Sequence, residues 1–251
     1  MINRVLTLVA ALIAIVVAGA PAQAAETLRM VYFDNFPPYS WIENGQIRGI
    51  LPDVAREVLE RKLGVATTHE GMPWARAQEM VKIGKADGFI SVPTDQRRSY
   101  AQISTESVIV LGNSLFVPAA SQNLEALRAV KSLDDLKSFA LLDYIGDGWG
   151  KEMLAGMQVH YAPSLDQVLR MLAMNRGDGF LQVDLVVLHA IKKLGLGDKI
   201  VEIQIPAIPA APFHLCLGNQ SGFRGLLPAF DAALKAMKTD GTLEGIIKNY
   251  K

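Results

Sequence analysis

Short apolar runs alternate with amphipathic stretches from one end of the chain to the other, a pattern that predicts α/β architecture. Thr27–Phe33 reads as a strand, followed by a loop through Phe36-Pro37-Pro38-Tyr39 and a hairpin turning at Asn44-Gly45. Leu51, Val54, Ala55, Val58 and Leu59 share one helical face, with Pro52 suited to the first turn and Gly64 to the stop. Val65–His69 reads as the next strand, a second helix runs from Pro73-Trp74 to Gly84, and Asp87–Ile90 is again strand-like. Thr94 is placed to cap a short helix, and Ser164 with Gln167 forms a capping box before the apolar face of Leu165, Val168, Leu169 and Leu172. A strand at Phe139–Asp143 leads into a helix starting near Trp149, and residues 222–251 read as two helices broken at Asp240-Gly241.

One element recurs. A helix ends in Gly84-Lys85-Ala86-Asp87-Gly88-Phe89-Ile90, and another ends in Arg176-Gly177-Asp178-Gly179-Phe180-Leu181. Both read as helix, glycine stop, Asp-Gly turn and apolar strand, which suggests two lobes of similar construction. Asn113–Gln122 and the proline-rich Ile205–Pro212 are the segments expected to cross between them. The expected division is residues 25–113 plus 213–251 for lobe 1 and 114–212 for lobe 2.

The amino-terminal pattern differs from the rest. Arg4 supplies a positive start, Val5–Gly19 is almost wholly apolar, and Ala22-Gln23-Ala24 gives the small-x-small site of a cleavable secretory signal covering residues 1–24. Pro21 closes the apolar run short of the roughly 20 residues a spanning helix needs. Export is therefore expected, with residues 25–251 as the mature protein.

Charge adds an exclusion. The chain carries 25 basic and 25 acidic side chains, and removing Arg4 leaves the mature protein near neutrality, which argues against a general nucleic-acid or anionic-membrane binder. With a lone cysteine, Cys216, no internal disulfide is possible, so the core must carry stability by packing alone. His69, His160, His189 and His214 are scattered without metal-ligand spacing, and no Gly-x-Ser-x-Gly elbow occurs; no metal, cofactor or catalytic residue is assigned.

Four blocks, in order, resemble the bacterial extracellular solute-binding proteins of family 3, the polar amino-acid receptors of ABC transporters. They are Phe36-Pro37-Pro38-Tyr39 with Asn44-Gly45, Gly49 and Asp53; Gly84 to Gly88 with Thr94, Arg97 and Ser104; Ser132-Leu133-Asp134-Asp135-Leu136-Lys137; and Asp240-Gly241-Thr242-Leu243 with Ile246, Ile247 and Lys248. The resemblance covers essentially the whole mature chain. It implies a two-lobed periplasmic-binding-protein type II fold, each lobe a doubly wound sheet, joined by two hinge strands that close on ligand. It further implies a monomer in the periplasm that carries an amino acid or related carboxylate to an inner-membrane ABC permease.

Candidate ligand contacts follow. Arg97 lies one helical turn after Thr94, and a guanidinium grips a carboxylate through two parallel bonds while free amides of the turn favour the same anion. The resemblance places the ligand α-carboxylate on Arg97; the bland reading is a solvated arginine, as for Arg98. Tyr39 and Trp74 match aromatic walls, with core packing as the alternative, and Phe36 and Trp41 are weaker candidates in the same region. Arg76 points into the cleft or to water. Small residues around Asp147 and Gly148 let backbone amides approach an anion, although the nucleotide-loop signatures are incomplete. Ser91 is the nearest hydroxyl in a turn shorter than the family's.

One departure concerns the ligand's other end. The family usually places an aspartate five residues after the second-lobe turn aspartate, to receive the ligand ammonium. Counting from Asp178, that position is Val183, with Asp184 after it and Gln182 before it. Either a bulge brings Asp184 into use, or an α-amino group is not read in the usual way. Two rivals share the fold: a cyclohexadienyl dehydratase-like enzyme, for which Asp34, Asp147 and Asp184 are the available carboxylates, and a soluble sensor input.

Overall fold

The computed structural model describes residues 26–250, so the secretory signal expected at residues 1–24 lies outside the described residues. In chain order, β1 (Leu28–Phe33), β2 (Asn35–Phe36), β3 (Ser40–Glu43) and β4 (Gln46–Arg48) lead into α1 (Ile50–Arg56). β5 (Thr67–Met72), α2 (Trp74–Lys82), β6 (Gly88–Ser91), α3 (Asp95–Arg98) and β7 (Ala101–Leu111) follow. After Gly112 come β8 (Asn113–Pro118), α4 (Leu124–Arg128), β9 (Leu141–Tyr144), α5 (Gly148–Met153) and β10 (Val159–Ala162). The remainder is α6 (Leu165–Ala173), β11 (Gly179–Val183), α7 (Asp184–Leu194), β12 (Ile200–Ile203), β13 (Ala211–Gly218), α8 (Leu227–Asp240) and α9 (Thr242–Lys248).

These strands form two five-stranded sheets, ordered β5-β1-β6-β13-β7 and β10-β9-β11-β8-β12, with β2-β3-β4 as a small third sheet. In each large sheet three parallel strands are followed by two antiparallel ones. The result is a mixed α/β protein of two lobes. The first sheet draws on residues 28–111 and 211–218, the second on 113–203. The first crossing is confined to Gly112, because Asn113–Pro118 already pairs within the second sheet as β8.

Local chemistry explains the element boundaries. Asn44 and Gly45 both adopt positive φ (51° and 76°), the conformation of a tight hairpin turn, and join β3 to β4. The Thr94 hydroxyl accepts the Arg97 amide at 3.3 Å, and the Ser164 hydroxyl accepts the Gln167 amide at 3.3 Å, so both sequence-predicted caps are in place. Leu165, Val168, Leu169 and Leu172 are all buried along α6. Cys216 is fully buried in β13, and no helix among the described residues is long and apolar enough to cross a membrane.

Candidate functional site

The carboxyl ends of parallel strands from both sheets converge on one cleft, the usual place for a ligand in such sheets. From lobe 1 come Phe33 at the end of β1, Ser91 at the end of β6, Trp74 at the start of α2 and Arg97 in α3. From lobe 2 come Tyr144 at the end of β9, Asp147 at the cap of α5 and Trp149 in its first turn, and Gln182 and Val183 at the end of β11. Phe36, Asn113 and Phe213 add to the wall of this interlobe cavity, together with Tyr32, Ser40, Leu51, Ile90, Val92 and Ala211.

The wall is largely aromatic. The Phe33 ring sits 5.8 Å from Phe36, 6.4 Å from Trp74 and 5.9 Å from Tyr144 across the cleft, and Phe36 stacks on Phe213 at 6.0 Å. Arg97 lies among these rings at only 2% exposure, its Cζ 5.2 Å from the Trp74 centroid. Burying a guanidinium requires partners. Its Nε donates to Gln78 Oε1 at 3.1 Å and its Nη1 to the Val92 carbonyl at 2.7 Å. A Cβ at Gly148 would stand 3.2 Å from Nη2, so the absence of a side chain there lets α5 approach the cation.

Lobe 2 offers carboxyls. Asp147 caps α5, accepting the Gly150 amide on Oδ1 at 3.0 Å, and its Oδ2 accepts Gln182 Nε2 at 2.7 Å. Asp143 is buried next to it: Oδ1 accepts the Tyr144 amide at 2.7 Å, while Oδ2 receives no donor and lies beside the Asp147 carboxyl. Burial pushes both carboxyls above the usual carboxylate range, and the Asp147 charge pushes Asp143 further. The Gly150 amide and Arg97 pull Asp147 back in part.

Hydrogen bonds cross the cleft. Gln78 Nε2 donates to the Gly146 carbonyl at 2.9 Å, the Asp95 amide to Glu152 Oε1 at 2.6 Å, and Asn35 Nδ2 to Asp166 Oδ1 at 3.1 Å. Gln78 therefore holds Arg97 with one end of its amide and lobe 2 with the other.

Of the residues singled out from the sequence, Arg97, Trp74, Ser91, Asp147 and Phe36 line the cavity. Thr94 holds the backbone of Arg97, and Gly148 lines an adjoining recess with Gln78, Gly146 and Asp147. Tyr39 is buried against Phe36 at 5.7 Å and does not itself line the cavity; Arg76 is exposed outside it, and Asp34 and Trp41 lie away from it. Asp184 is also outside the lining: its Oδ1 accepts the Leu185 amide at 2.6 Å, and Oδ2 lies over Gly112. Phe33, Asn113, Tyr144, Trp149, Val183 and Phe213 were not singled out as ligand contacts. The strand-end rule could have found Phe33, Tyr144 and Val183. Phe213 arrives on a strand returning from the other lobe and carries no local signal.

A family model for bacterial extracellular solute-binding proteins, family 3, matches residues 28–251. The chain belongs to that family. No curated protein matches it. Among solved structures, this solute-binding protein is similar to a histidine kinase sensor domain with similarity to periplasmic binding proteins (21% identity, 90% of this chain and 96% of that one, TM-score 0.75). It is also similar to an ancestral arginine-binding protein bound to arginine (23% identity, 89% and 97%, TM-score 0.69). A third is an amino acid ABC transporter substrate-binding protein from Streptococcus pneumoniae bound to L-arginine (19% identity, 89% and 94%, TM-score 0.69). At these identities the likeness to solved structures establishes the fold.

Proposed function

We propose that this solute-binding protein is an exported, periplasmic receptor that captures a small carboxylate, an amino acid or a relative, between its lobes. It then presents the loaded form to an inner-membrane ABC permease. The observation that carries the reading is Arg97: a guanidinium 2% exposed, held from two sides by Gln78 and Val92, on the wall of an aromatic interlobe cavity. A buried cation on a cavity wall is expensive to keep without an anionic visitor, and a guanidinium suits a carboxylate. The family match supports the same reading.

Trp74 and Trp149 both line the cavity, so tryptophan fluorescence reports occupancy. Titration with a panel of amino acids and related carboxylates is expected to give saturable binding and a ligand-dependent rise in melting temperature. Arg97→Met, which keeps the stem over Trp74, is expected to weaken that binding by about 100-fold or more, in line with losing a buried charge pair. Unaltered affinity in a folded Arg97→Met protein would sink the reading. Prephenate should be recovered unchanged after incubation, and its conversion would favour the dehydratase instead.

A further inference from the structure

We infer that the cleft selects small monocarboxylates with an apolar body and no α-ammonium group, deaminated counterparts of apolar amino acids rather than the amino acids themselves. The inference rests on the proposed reading of Arg97 as the carboxylate anchor and adds what the opposite wall accepts.

The opposite wall offers an ammonium no carboxylate with an unengaged oxygen. Asp147 is the only carboxylate among the lining residues, and both of its oxygens are already engaged, one by the Gly150 amide at 3.0 Å and one by Gln182 Nε2 at 2.7 Å. Burial also favours its neutral acid form, as it does for Asp143 behind it. Where β11 delivers side chains to the cleft, they are the neutral amide of Gln182 and the apolar Val183. The next carboxylate, Asp184, is bound to its own helix start at the Leu185 amide, 2.6 Å away, over Gly112. Arg97 already occupies the face of Trp74, 5.2 Å from its centroid, and the remaining rings attract an ammonium more weakly than a carboxylate does. An ammonium brought here would exchange its water for neutral oxygens, those of Ser91, Tyr144 and the unpartnered Asn113 Oδ1, with no free carboxylate to offset its charge. The remaining lining, with Phe33, Phe36, Tyr144, Trp149 and Phe213, suits an aliphatic or aromatic body.

The test is a paired calorimetric titration of the full mature chain with 3-phenylpropanoate beside L-phenylalanine, 4-methylpentanoate beside L-leucine, and the other apolar amino acids beside their deaminated acids. The deaminated member of at least one pair should bind tenfold or more tightly than its amino acid, and Arg97→Met should remove both. Val183→Asp should narrow or reverse that preference by supplying a carboxylate on the wall, with Val183→Asn as the control for polarity alone. Tighter or equal binding of the amino acids, still dependent on Arg97, overturns this inference and leaves the receptor reading intact. Loss of amino-acid binding in Asp184→Asn would overturn it too. Failure of every acid and amino acid to bind, or binding indifferent to Arg97, removes the carboxylate reading beneath it as well.

Discussion

In lobe 1 the strands run β5-β1-β6 in parallel and then β13-β7 antiparallel; in lobe 2 they run β10-β9-β11 in parallel and then β8-β12 antiparallel. The repetition reaches single hydrogen bonds. Asp87 accepts the Arg29 amide at 2.9 Å and donates its own amide to the Arg29 carbonyl at 2.8 Å. Asp178 does the same with Ala140, at 2.8 Å and 2.7 Å. Yet the faces the lobes turn to the cleft are opposite in character. Lobe 1 presents a cation tied on two sides, and lobe 2 presents a buried acid, Asp147, with Asp143 buried behind it. The scaffold is shared, and the chemistry is set by which residues sit at its strand ends.

The first way to break the comparison is to remove the repeated aspartates. Asp87 is 5% exposed and also binds the Arg29 side chain, with Nε at 2.8 Å, so Asp87→Ala removes the acceptor of a part-buried amide and the ion pair of a half-exposed arginine together. Asp178 is less buried, and its second contact is the amide of Asn123 at 3.0 Å. Urea unfolding is expected to show a loss of about 3 kcal/mol for Asp87→Ala and about 1 kcal/mol for Asp178→Ala. Equal losses would mean that the ion pair with Arg29 adds nothing to the shared turn.

Those turns were legible in the sequence because each is local: glycine stop, aspartate and apolar strand lie within seven residues. The caps at Thr94 and Ser164 were legible for the same reason. The site was only half legible. Arg97 stood out by its offset from Thr94, but its partner Gln78 lies 19 residues earlier and serves lobe 2 as well, which no local pattern encodes. The question between Gln182, Val183 and Asp184 turned on where β11 ends and α7 begins. The strand ends at Val183, so Gln182 and Val183 reach the cavity and Asp184 opens the helix.

Acid and alkali should separate the lobes. In lobe 1 the His69 side chain is 6% exposed, between Tyr32 Oη at 2.8 Å and Thr67 Oγ1 at 2.6 Å, and burial, with Arg56 nearby, pushes its pKa down to about 4. The unfolded chain takes up that proton near pH 6.5 and the folded one does not, so stability is lost as pH falls from about 6.5 toward 4. Between pH 7 and 5 this amounts to about 2 kcal/mol, and His69→Gln should remove it. Asp143 in lobe 2 runs the other way. Burial and then Asp147 raise its pKa, so the folded protein keeps a proton that the unfolded chain gives up near the ordinary carboxylate value. That contribution is present in acid and falls as pH rises, and Asp143→Asn should flatten it. Denaturant midpoints of both variants across pH 5–8 check the opposed slopes; parallel slopes would contradict the asymmetry.

The smallest expected effect lies where the lobes meet. Glu152 of α5 accepts the Asp95 amide at the start of α3 at 2.6 Å, a charge-assisted bond that exists only while the lobes are together. Both residues are exposed and outside the cavity, so the bond favours closure without touching a ligand. Glu152→Gln keeps an acceptor but removes the charge, and solvent screening limits the loss to about two- to threefold in affinity for whichever carboxylate binds wild type most tightly. The loss should fall equally on every member of the titration panel, because a closure bond multiplies all affinities by one factor. Titrating the variant with each acid and amino acid therefore tells closure from chemistry. A uniform shift leaves selectivity with the strand ends of the two lobes, whereas a change in rank order would give part of it to the seam between them.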